Sequence, residues 1–212
     1  MGGLGRKPIG TVAYMGGVPA VLEEFCWSWG QLIQYNNEYL VDQTMVVHYD
    51  RSRVSYHSWA RNDLAERFLG DWILMLDCDH SFEPDIAARL LIKMQQHDVD
   101  VLTAVYRHRK APHYPVLYKW KENGFTAIYK YELDPGEELL PIDSSGAGTL
   151  LIKRSVFDRI RDELQEPPFE PIGEWGEDHS FFRRLMRLGI KAYAIPMIQS
   201  FHLVTQPLAF ED

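Results

Sequence analysis

The stretch Trp72-Ile-Leu-Met-Leu-Asp-Cys-Asp79 decides the fold class, because an apolar run ends abruptly in two aspartates. The run predicts a buried strand, and residues two apart on a strand point to the same side. Asp77 and Asp79 are therefore expected to direct their carboxylates to one point. Ligands of open α/β sheets bind beyond the carboxyl ends of the strands, and hard divalent cations prefer oxygen ligands. The stretch predicts a site for a metal ion and a nucleotide.

A second Asp-x-Asp, Asp98-Val-Asp100, provides an internal comparison. It follows a predicted helix and precedes the apolar run Val101–Tyr106, so it lies at the amino end of a strand. That edge of a parallel sheet is the wrong one for a ligand. The second pair therefore predicts a solvated turn, and the first pair is distinguished by its position and not by its letters.

Length, composition and charge indicate one globular α/β domain. A chain of 212 residues is long enough for a full hydrophobic core, and 46% hydrophobic with 25% charged residues is ordinary for a soluble protein. The formal charge of −8 argues against a broad nucleic-acid surface. It also means that an acidic cleft needs a cation to hold a pyrophosphate.

The cysteines and the chain start bear on location and domain organisation. Cys26 and Cys78 make no disulfide framework and fit a reducing cytoplasm. No apolar run approaches the ~20 residues of a membrane span. The Gly-rich residues 1–8 predict a flexible tail. Residues 9–212 predict a single domain, with a nucleotide-binding half over 9–110 and a half that completes the site over 111–204.

Strands and helices alternate in the first half of the chain, which predicts βαβ units and a parallel sheet. In order, the predicted elements are the strand Thr11–Met15 with a Gly16-Gly17 turn, a helix opened by Pro19, the strand Thr44–Tyr49, the helix Ser58–Leu69 stopped by Gly70, the aspartate-ended strand, the helix Pro84–His97 and the strand Val101–Tyr106. The second half is less regular. Its predicted elements are the strands Val116–Trp120 and Phe125–Tyr131 around a Glu122-Asn-Gly124 turn, a Pro135-Gly136 turn, the strand Gly148–Lys153, a helix through Leu164, a loop over Glu166–Gly173, the helix His179–Leu188 and the strand Ile190–Ile195.

Four short motifs occur in the order found in a known family. They are Asp77-Cys-Asp79, Ser144-Ser-Gly-Ala-Gly148 before a strand, Gly176-Glu-Asp178 at a helix start, and Phe201-His-Leu203. Together they resemble a GT-A-fold glycosyltransferase with the pattern of the family 2-like enzymes. The resemblance implies a single Rossmann-like GT-A domain. Its central sheet would be mostly parallel and flanked by helices, beside a smaller irregular acceptor-side region.

The resemblance implies a hexosyltransferase-type enzyme that moves a sugar from a nucleotide-diphospho-sugar, such as a UDP- or GDP-sugar, to an acceptor hydroxyl. A saccharide, small molecule or protein is expected as acceptor before a nucleic acid. Mn²⁺ or Mg²⁺ would stabilise the charge on the departing diphosphate. Asp79 is implied as a direct metal ligand, Asp77 as a ligand through water or a partner of the ribose, and His202 as the third protein ligand. A hydrogen-bonded structural side chain is the alternative for His202.

Asp178 is the candidate general base, and Glu177 beside it is a second candidate for the catalytic site. Acidic residues in a first helical turn are common, and the helix dipole there lowers a carboxyl pKa. A base poised near neutrality needs a higher pKa, which Glu177 or a diphosphate would provide, so the residues leave the balance open. A base role implies inversion at the anomeric carbon, and a retaining outcome stays open.

Three further groups are candidates for binding the nucleotide-sugar. The groups are Tyr14, Met15 and Gly16 at the end of the first strand, Arg61 and Asn62 on the helix before the metal strand, and Gly146, Ala147 and Gly148 in a loop with backbone donors. The alternative for the second group is a solvated helix face, and the alternative for the third group is a turn at the start of a strand.

Two other functions stay open. A sugar-1-phosphate nucleotidyltransferase also uses a metal and a Rossmann-like sheet, but its first loop carries Arg and Lys for the triphosphate, and Met15-Gly-Gly-Val-Pro19 has no basic residue. A catalytically inactive GT-A domain could serve as a binding module. Such a module would not need Asp77, Asp79, Asp178 and His202 together.

Overall fold

A computed structural model describes residues 7–203 apart from residues 17, 19, 42–44, 55, 123, 130–133 and 135. The expectations for residues 1–6, Gly17, Pro19, Thr44, Asn123, Tyr131, Pro135 and residues 204–212 lie outside the described residues. The strands are β1 Lys7–Tyr14, β2 Met45–Arg51, β3 Trp72–Leu76, β4 His80–Phe82, β5 Val101–Val105, β6 Leu117–Lys121, β7 Gly124–Ala127, β8 Leu140–Ile142, β9 Ser144–Ser145, β10 Thr149–Lys153 and β11 Ala192–His202. The helices are α1 Glu23–Tyr39, α2 His57–Arg67, α3 Ile86–Gln96, α4 Arg154–Arg159, which continues as a π-helical turn over Ile160–Leu164, and α5 Glu177–Arg187.

The central sheet has the strand order β2-β1-β3-β10-β5-β11-β4, and β8 also pairs with β11. Strands β1, β2 and β3 are parallel, as are β5 and β11. Strand β10 lies antiparallel between β3 and β5, so these two groups run in the same direction. The prediction of a mostly parallel sheet is confirmed, while the sequence pattern did not reveal the antiparallel strand at its centre.

Helices cover both faces of this sheet, which gives three layers. All five side chains of β3 are buried, and they alternate between two apolar cores. Ile73 and Met75 pack in the core formed with α2, α4 and α5. Trp72, Leu74 and Leu76 pack in the core formed with α1 and α3. Burial on both faces explains why the stretch reads as a continuous apolar run and not as an alternating one.

The less regular second half contains a small sheet with the order β7-β6-β9. Strands β6 and β7 form the predicted hairpin, with Glu122 at φ 53° in the turn. Several predicted ends are wrong by a few residues. Strand β1 begins at Lys7 and not at Thr11, and helix α1 begins at Glu23, later than the predicted start at Pro19. Strand β7 ends at Ala127, before the predicted end at Tyr131. Helix α5 begins at Glu177 and not at His179, and β11 continues to His202 where the apolar run predicted an end at Ile195. Within the described residues, no helix combines the length and apolarity needed to cross a bilayer.

Candidate active site

The chain turns where the two aspartates were expected to continue a strand. Strand β3 ends at Leu76, and the Asp77 N–H donates to the Gly148 carbonyl across the β3–β10 edge. The His80 N–H then donates to the Asp77 carbonyl, which closes a turn at Cys78 and Asp79 before β4 begins. The prediction that strand alternation aligns the two carboxylates is therefore wrong. Both residues nevertheless lie at the carboxyl edge of the sheet, where ligands of such folds bind.

Arg61 of α2 holds the first carboxylate. Its side chain is 2% exposed, its Nη2 lies 2.8 Å from Asp77 Oδ1, and its Nη1 donates to the Ala147 carbonyl at 3.0 Å. Its Nε lies 3.5 Å from Glu177 Oε1. Burial by itself would raise the pKa of Asp77, but the charge and the hydrogen bond of Arg61 act against it, and that pKa lies below its ordinary value. One guanidinium thus joins α2, the end of β3, the glycine loop and α5.

Breaking this buried contact has a predictable cost in stability. The substitution Arg61→Met keeps the apolar stem but leaves two carboxylates near one another without their cation. We expect the free energy of unfolding to fall by roughly 3 kcal/mol, the lower end of the range for a broken buried pair, because Asp77 retains 28% exposure. The control is Arg53→Met, whose guanidinium is 71% exposed beside Asp63, and which should change stability little. Urea unfolding curves of the two variants would test this; equal midpoints would contradict it.

The second carboxylate belongs to a different cluster. Asp79, His80 and His202 each present one potential ligand atom, and these atoms lie within 4.8 Å of one another. The cluster forms because β4 and β11 are antiparallel with His80 opposite His202, while the Leu203 N–H donates to the Asp79 carbonyl. The half-buried Asp79 carboxylate also forms an ion pair with Arg109. The structure therefore places Asp79 and His202 together, as expected, and adds His80.

Each of the two imidazoles contacts a hydrogen-bonding partner through its Nδ1 atom. His80 is fully buried and its Nδ1 lies 3.0 Å from Ser200 Oγ. The His202 Nδ1 contacts the Arg107 carbonyl, which can only accept, so this nitrogen carries the proton and Nε2 carries the lone pair. Burial lowers the pKa of His80 to about 4 and also lowers the pKa of His202. Both rings are therefore neutral at neutral pH, the form that binds metal ions.

The first turn of α5 brings two acidic residues with opposite tendencies to the same edge. Burial raises the pKa of Asp178, and the charge of Glu177 adds to this effect. Burial would also raise the pKa of Glu177, but His57, 3.7 Å from Glu177 Oε1, and Arg61 outweigh it and lower that pKa. Neighbouring carboxyls whose pKa values are pushed apart are typical of acid–base sites. Burial outweighs the charge of His179 and the hydrogen bond from the His179 N–H, both of which act to lower the pKa of Asp178.

Aromatic side chains surround the same helical turn. The ring of His179 stacks on Phe125 of β7 with centroids 4.7 Å apart, and its Nδ1 lies 2.7 Å from Ser144 Oγ. Tyr118 and Trp175 contact the same imidazole edge-on. The small sheet thereby forms an aromatic wall next to Asp178.

The glycine loop lies beneath the cluster and leaves no room for side chains. A Cβ at Gly146 would lie 2.1 Å from the Tyr106 hydroxyl, and one at Gly148 would lie 2.6 Å from His80 Cε1. The Gly148 N–H donates to the Tyr106 hydroxyl at 3.1 Å. The loop thus packs against His80 and Tyr106, a role that the sequence did not indicate, and Ala147 contributes its carbonyl to Arg61.

The remaining candidates are spread more widely. Tyr14 packs on Phe25 and Trp29, with ring centroids 5.2 and 5.0 Å away. Met15 is buried and its N–H donates to the Leu76 carbonyl, whereas the Gly16 N–H donates to Ser52 Oγ at 2.8 Å. These residues lie at the same sheet edge as the site.

Asn62 lies on a different face of α2 from Arg61. Its Oδ1 accepts a hydrogen bond from the Phe169 N–H at 2.9 Å, so it fixes the Pro-rich loop over Glu166–Gly173.

The second Asp-x-Asp behaves as predicted for the amino end of a strand, where Asp98 and Asp100 pair with Lys153 at 3.4 and 2.9 Å. Sequence reasoning missed His80 and Tyr106. The position of His80 next to Asp79 was the one sign in the sequence of a role in the cluster. The sequence did not show that the strand of His80 pairs with β11.

Comparison with known proteins agrees with this architecture. No curated protein gives a significant sequence match. Solved structures with a similar fold include A197 from STIV, with a TM-score of 0.57 and 17% identity over 94% of this chain and 86% of that chain. They also include GalNAc-T7 with UDP, GalNAc and Mn²⁺, with a TM-score of 0.58 and 14% identity over 94% of this chain and 44% of that chain. The model of the glycosyl transferase family 2 matches residues 34–161, more than half of the sequence. The chain is therefore a member of glycosyl transferase family 2 and has the GT-A fold.

Proposed function

We propose that this chain is a metal-dependent enzyme of the hexosyltransferase type that moves a sugar from a nucleotide-diphospho-sugar to an acceptor hydroxyl. The observation that carries the proposal is the cluster of Asp79, His80 and His202, whose potential ligand atoms lie within 4.8 Å of one another. Asp77 lies near His80, and Arg61 links Asp77 to Glu177 at the start of the helix that carries Asp178. The GT-A neighbour GalNAc-T7 was solved with UDP, GalNAc and Mn²⁺, so UDP-sugars are the first donors to test and GDP-sugars the next.

The residues present fit a divalent cation. Among the residues that the structure describes, the buried Asp79 Oδ1 and His80 Nε2 have no hydrogen-bond partner, and such atoms are costly unless they bind something. Asp79 and His202 would hold the ion, and Asp77 would contribute through water or bind the ribose. The ion would supply positive charge beside the departing diphosphate. Imidazole nitrogen favours Mn²⁺ over Mg²⁺.

The acid–base assignment follows from the pKa directions in α5. Asp178 is proposed as the general base, because burial and Glu177 raise its pKa toward the range in which a base works. Glu177 is proposed to stay ionised and to fix Arg61 and His57. A base on the acceptor side favours direct displacement with inversion at the anomeric carbon.

The proposal also assigns different parts of the site to the two halves of the chain. Residues 9–110 provide the nucleotide side, with Tyr14, Met15 and Gly16 bordering the base and Arg61 holding Asp77. Residues 111–204 complete the donor and acceptor side, where Gly146, Ala147 and Gly148 pack beneath the cluster and the aromatic wall stands beside Asp178. The expected acceptor is a saccharide, small molecule or protein. Both cysteines are free thiols, which supports a cytoplasmic location.

Donor binding can be tested directly. The protein would be incubated with Mn²⁺ and a panel of UDP-, GDP- and TDP-sugars, and its thermal stability and slow donor hydrolysis would be measured. A ligand that binds only the folded state raises stability by mass action. We expect one nucleotide to stabilise the protein and its sugar to be released slowly. If no nucleotide stabilises it with or without metal, the proposed function is wrong.

The role of His202 can be separated from that of a structural histidine. The substitution His202→Ala should weaken Mn²⁺-supported nucleotide binding by more than the roughly 10- to 100-fold that loss of an outer-shell partner costs. The apo protein should keep its fold, because His202 is only half-buried at the end of β11. The matched control is His97→Ala, which removes an imidazole that pairs with Glu138 at 3.0 Å after α3. Calorimetric titration with UDP and Mn²⁺ gives the affinities. A large loss of apo stability with intact metal affinity would assign His202 a structural role.

A further inference from the structure

A buried chain of hydroxyl groups stands behind the candidate metal cluster. Ser200 Oγ lies 3.0 Å from His80 Nδ1 and 2.8 Å from Thr149 Oγ1. His80 and Thr149 are fully buried and Ser200 is 2% exposed. Three elements meet here, since the residues belong to β4, β11 and β10. The contact lies away from bulk water, so these side chains must satisfy one another.

The other ring nitrogen of His80 has an unusual environment. Its Nε2 is buried and, among the described residues, has no hydrogen-bond partner. The nearest carboxylate oxygen, Asp79 Oδ1, lies 3.9 Å away, which is too long for a hydrogen bond. A proton on Nε2 would therefore be an unsatisfied buried donor. With the proton on Nδ1, Ser200 can accept it and donate its own hydrogen to Thr149, and the Nε2 lone pair then faces the cluster.

We propose that Ser200 and Thr149 are positioning residues that hold the His80 proton on Nδ1, so that Nε2 binds the metal ion as a second imidazole beside His202. This inference rests on the proposed function and refines its metal site. In this arrangement the Ser200 hydroxyl accepts the Nδ1 proton of His80, as the Arg107 carbonyl accepts that of His202. Outer-shell partners of this kind fix the orientation of a ligating histidine and raise its basicity.

A second imidazole changes which cation the site prefers. Two nitrogen ligands and one carboxylate suit Mn²⁺, Co²⁺ or Zn²⁺, whereas Mg²⁺ demands oxygen ligands and loses its water reluctantly. The chain should therefore bind Co²⁺ and Zn²⁺ more tightly than Mn²⁺, and Mn²⁺ more tightly than Mg²⁺. The substitution His80→Ala should narrow the difference in affinity between Mn²⁺ and Mg²⁺, because it removes a nitrogen ligand that favours Mn²⁺ over Mg²⁺.

The affinity test uses metal ions alone on variants that alter only the hydroxyl chain. Ser200→Ala should weaken Mn²⁺ binding by roughly 10- to 100-fold. Thr149→Val should weaken it less, because the hydroxyl of Ser200 remains, and Thr149→Ser should restore wild-type affinity. The matched control is Thr11→Val, which removes a buried hydroxyl that bonds the Leu69 backbone far from the cluster. It should lower stability and leave Mn²⁺ affinity unchanged.

The tautomer itself gives a readout that a merely structural role would not move. Long-range ¹H–¹⁵N spectra of the histidine rings, recorded with and without Zn²⁺, should show a protonated Nδ1 and a metal-shifted Nε2 for His80. Wild-type Mn²⁺ affinity in Ser200→Ala, or a His80 Nε2 unchanged by Zn²⁺, would overturn the inference while metal binding by the wild type keeps the proposed function. Absence of metal binding by the wild type would overturn both.

Discussion

Removal of divalent metal is expected to abolish the binding of nucleotide to this protein. The chain carries a formal charge of −8, and its site collects Asp77, Asp79, Glu177 and Asp178. Of the cations nearby, Arg61 is already paired with Asp77, and Arg109 is already paired with Asp79. A diphosphate therefore needs an added positive charge to enter. In a chelator, UDP should give no thermal stabilisation, and Mn²⁺ in excess should restore it. Unchanged nucleotide binding in the presence of chelator would contradict the proposed metal dependence.

The substitution Asp79→Asn should reproduce the effect of the chelator, since it keeps the shape of the side chain but removes the charge that an ion requires. The sequence supplies a matched control in its second Asp-x-Asp. Asp98→Asn and Asp100→Asn remove the same charge at the other edge of the sheet, where both residues pair with Lys153. These two variants should bind metal and nucleotide as the wild type does. If Asp98→Asn or Asp100→Asn lost as much nucleotide binding as Asp79→Asn, the effect would come from net charge and not from the site.

The substitution Asp178→Asn should separate sugar transfer from donor binding. If the carboxylate takes the proton of the acceptor hydroxyl, it acts mainly in the transition state. Asparagine keeps the shape and the oxygen that accepts from the His179 N–H at 2.6 Å, but it is not basic. Transfer should fall by roughly 10²- to 10⁴-fold, the range for a positioned general base. The affinity for the metal–nucleotide complex should stay close to that of the wild type.

Two controls decide what Asp178 does. Glu174→Gln changes an exposed carboxylate in the loop before α5 and should leave transfer unchanged. An equal loss of nucleotide binding and transfer in Asp178→Asn would assign this residue to the donor or metal site. Undiminished transfer would reduce it to a helix-terminal acid, and the inverting mechanism would lose its candidate base.

Local patterns predicted the elements of the fold well, because each buried strand must be apolar on both faces. The runs that became β3 and β5 show this directly. The pairing of strands was harder to predict. Nothing in residues 149–153 distinguishes an antiparallel strand from a parallel one, since both are buried in the same way. The run 190–195 gave no sign that β11 continues to His202, because its outer half alternates between buried and exposed residues.

The candidate site was predictable in its residue types and less so in its geometry. Asp79 and His202 were placed together only by resemblance, and their meeting depends on the pairing of β4 with β11. His80 was missed because its ligand character depends on burial and on Ser200, which is distant in sequence. The adjacent Arg61 and Asn62 were treated alike, yet neighbours on a helix point in different directions. Only the packed structure shows that one faces the site and the other the Pro-rich loop.

Strand β11 joins the central sheet to the site, and this has a consequence for how the protein folds. It pairs with β5 over its first residues and, after an irregularity, with β4 over its last three. Such sequence-distant pairings form late, because closing a long loop costs entropy before the contacts compensate. A partly folded chain whose sheet lacks β11 would thus possess Asp79 but would lack His202 and the strand that pairs with β4 and its His80. If the proposed metal site is occupied, only a molecule that has completed its last strand would gain from the cation, and the ion would then act as a selective ligand for the finished fold.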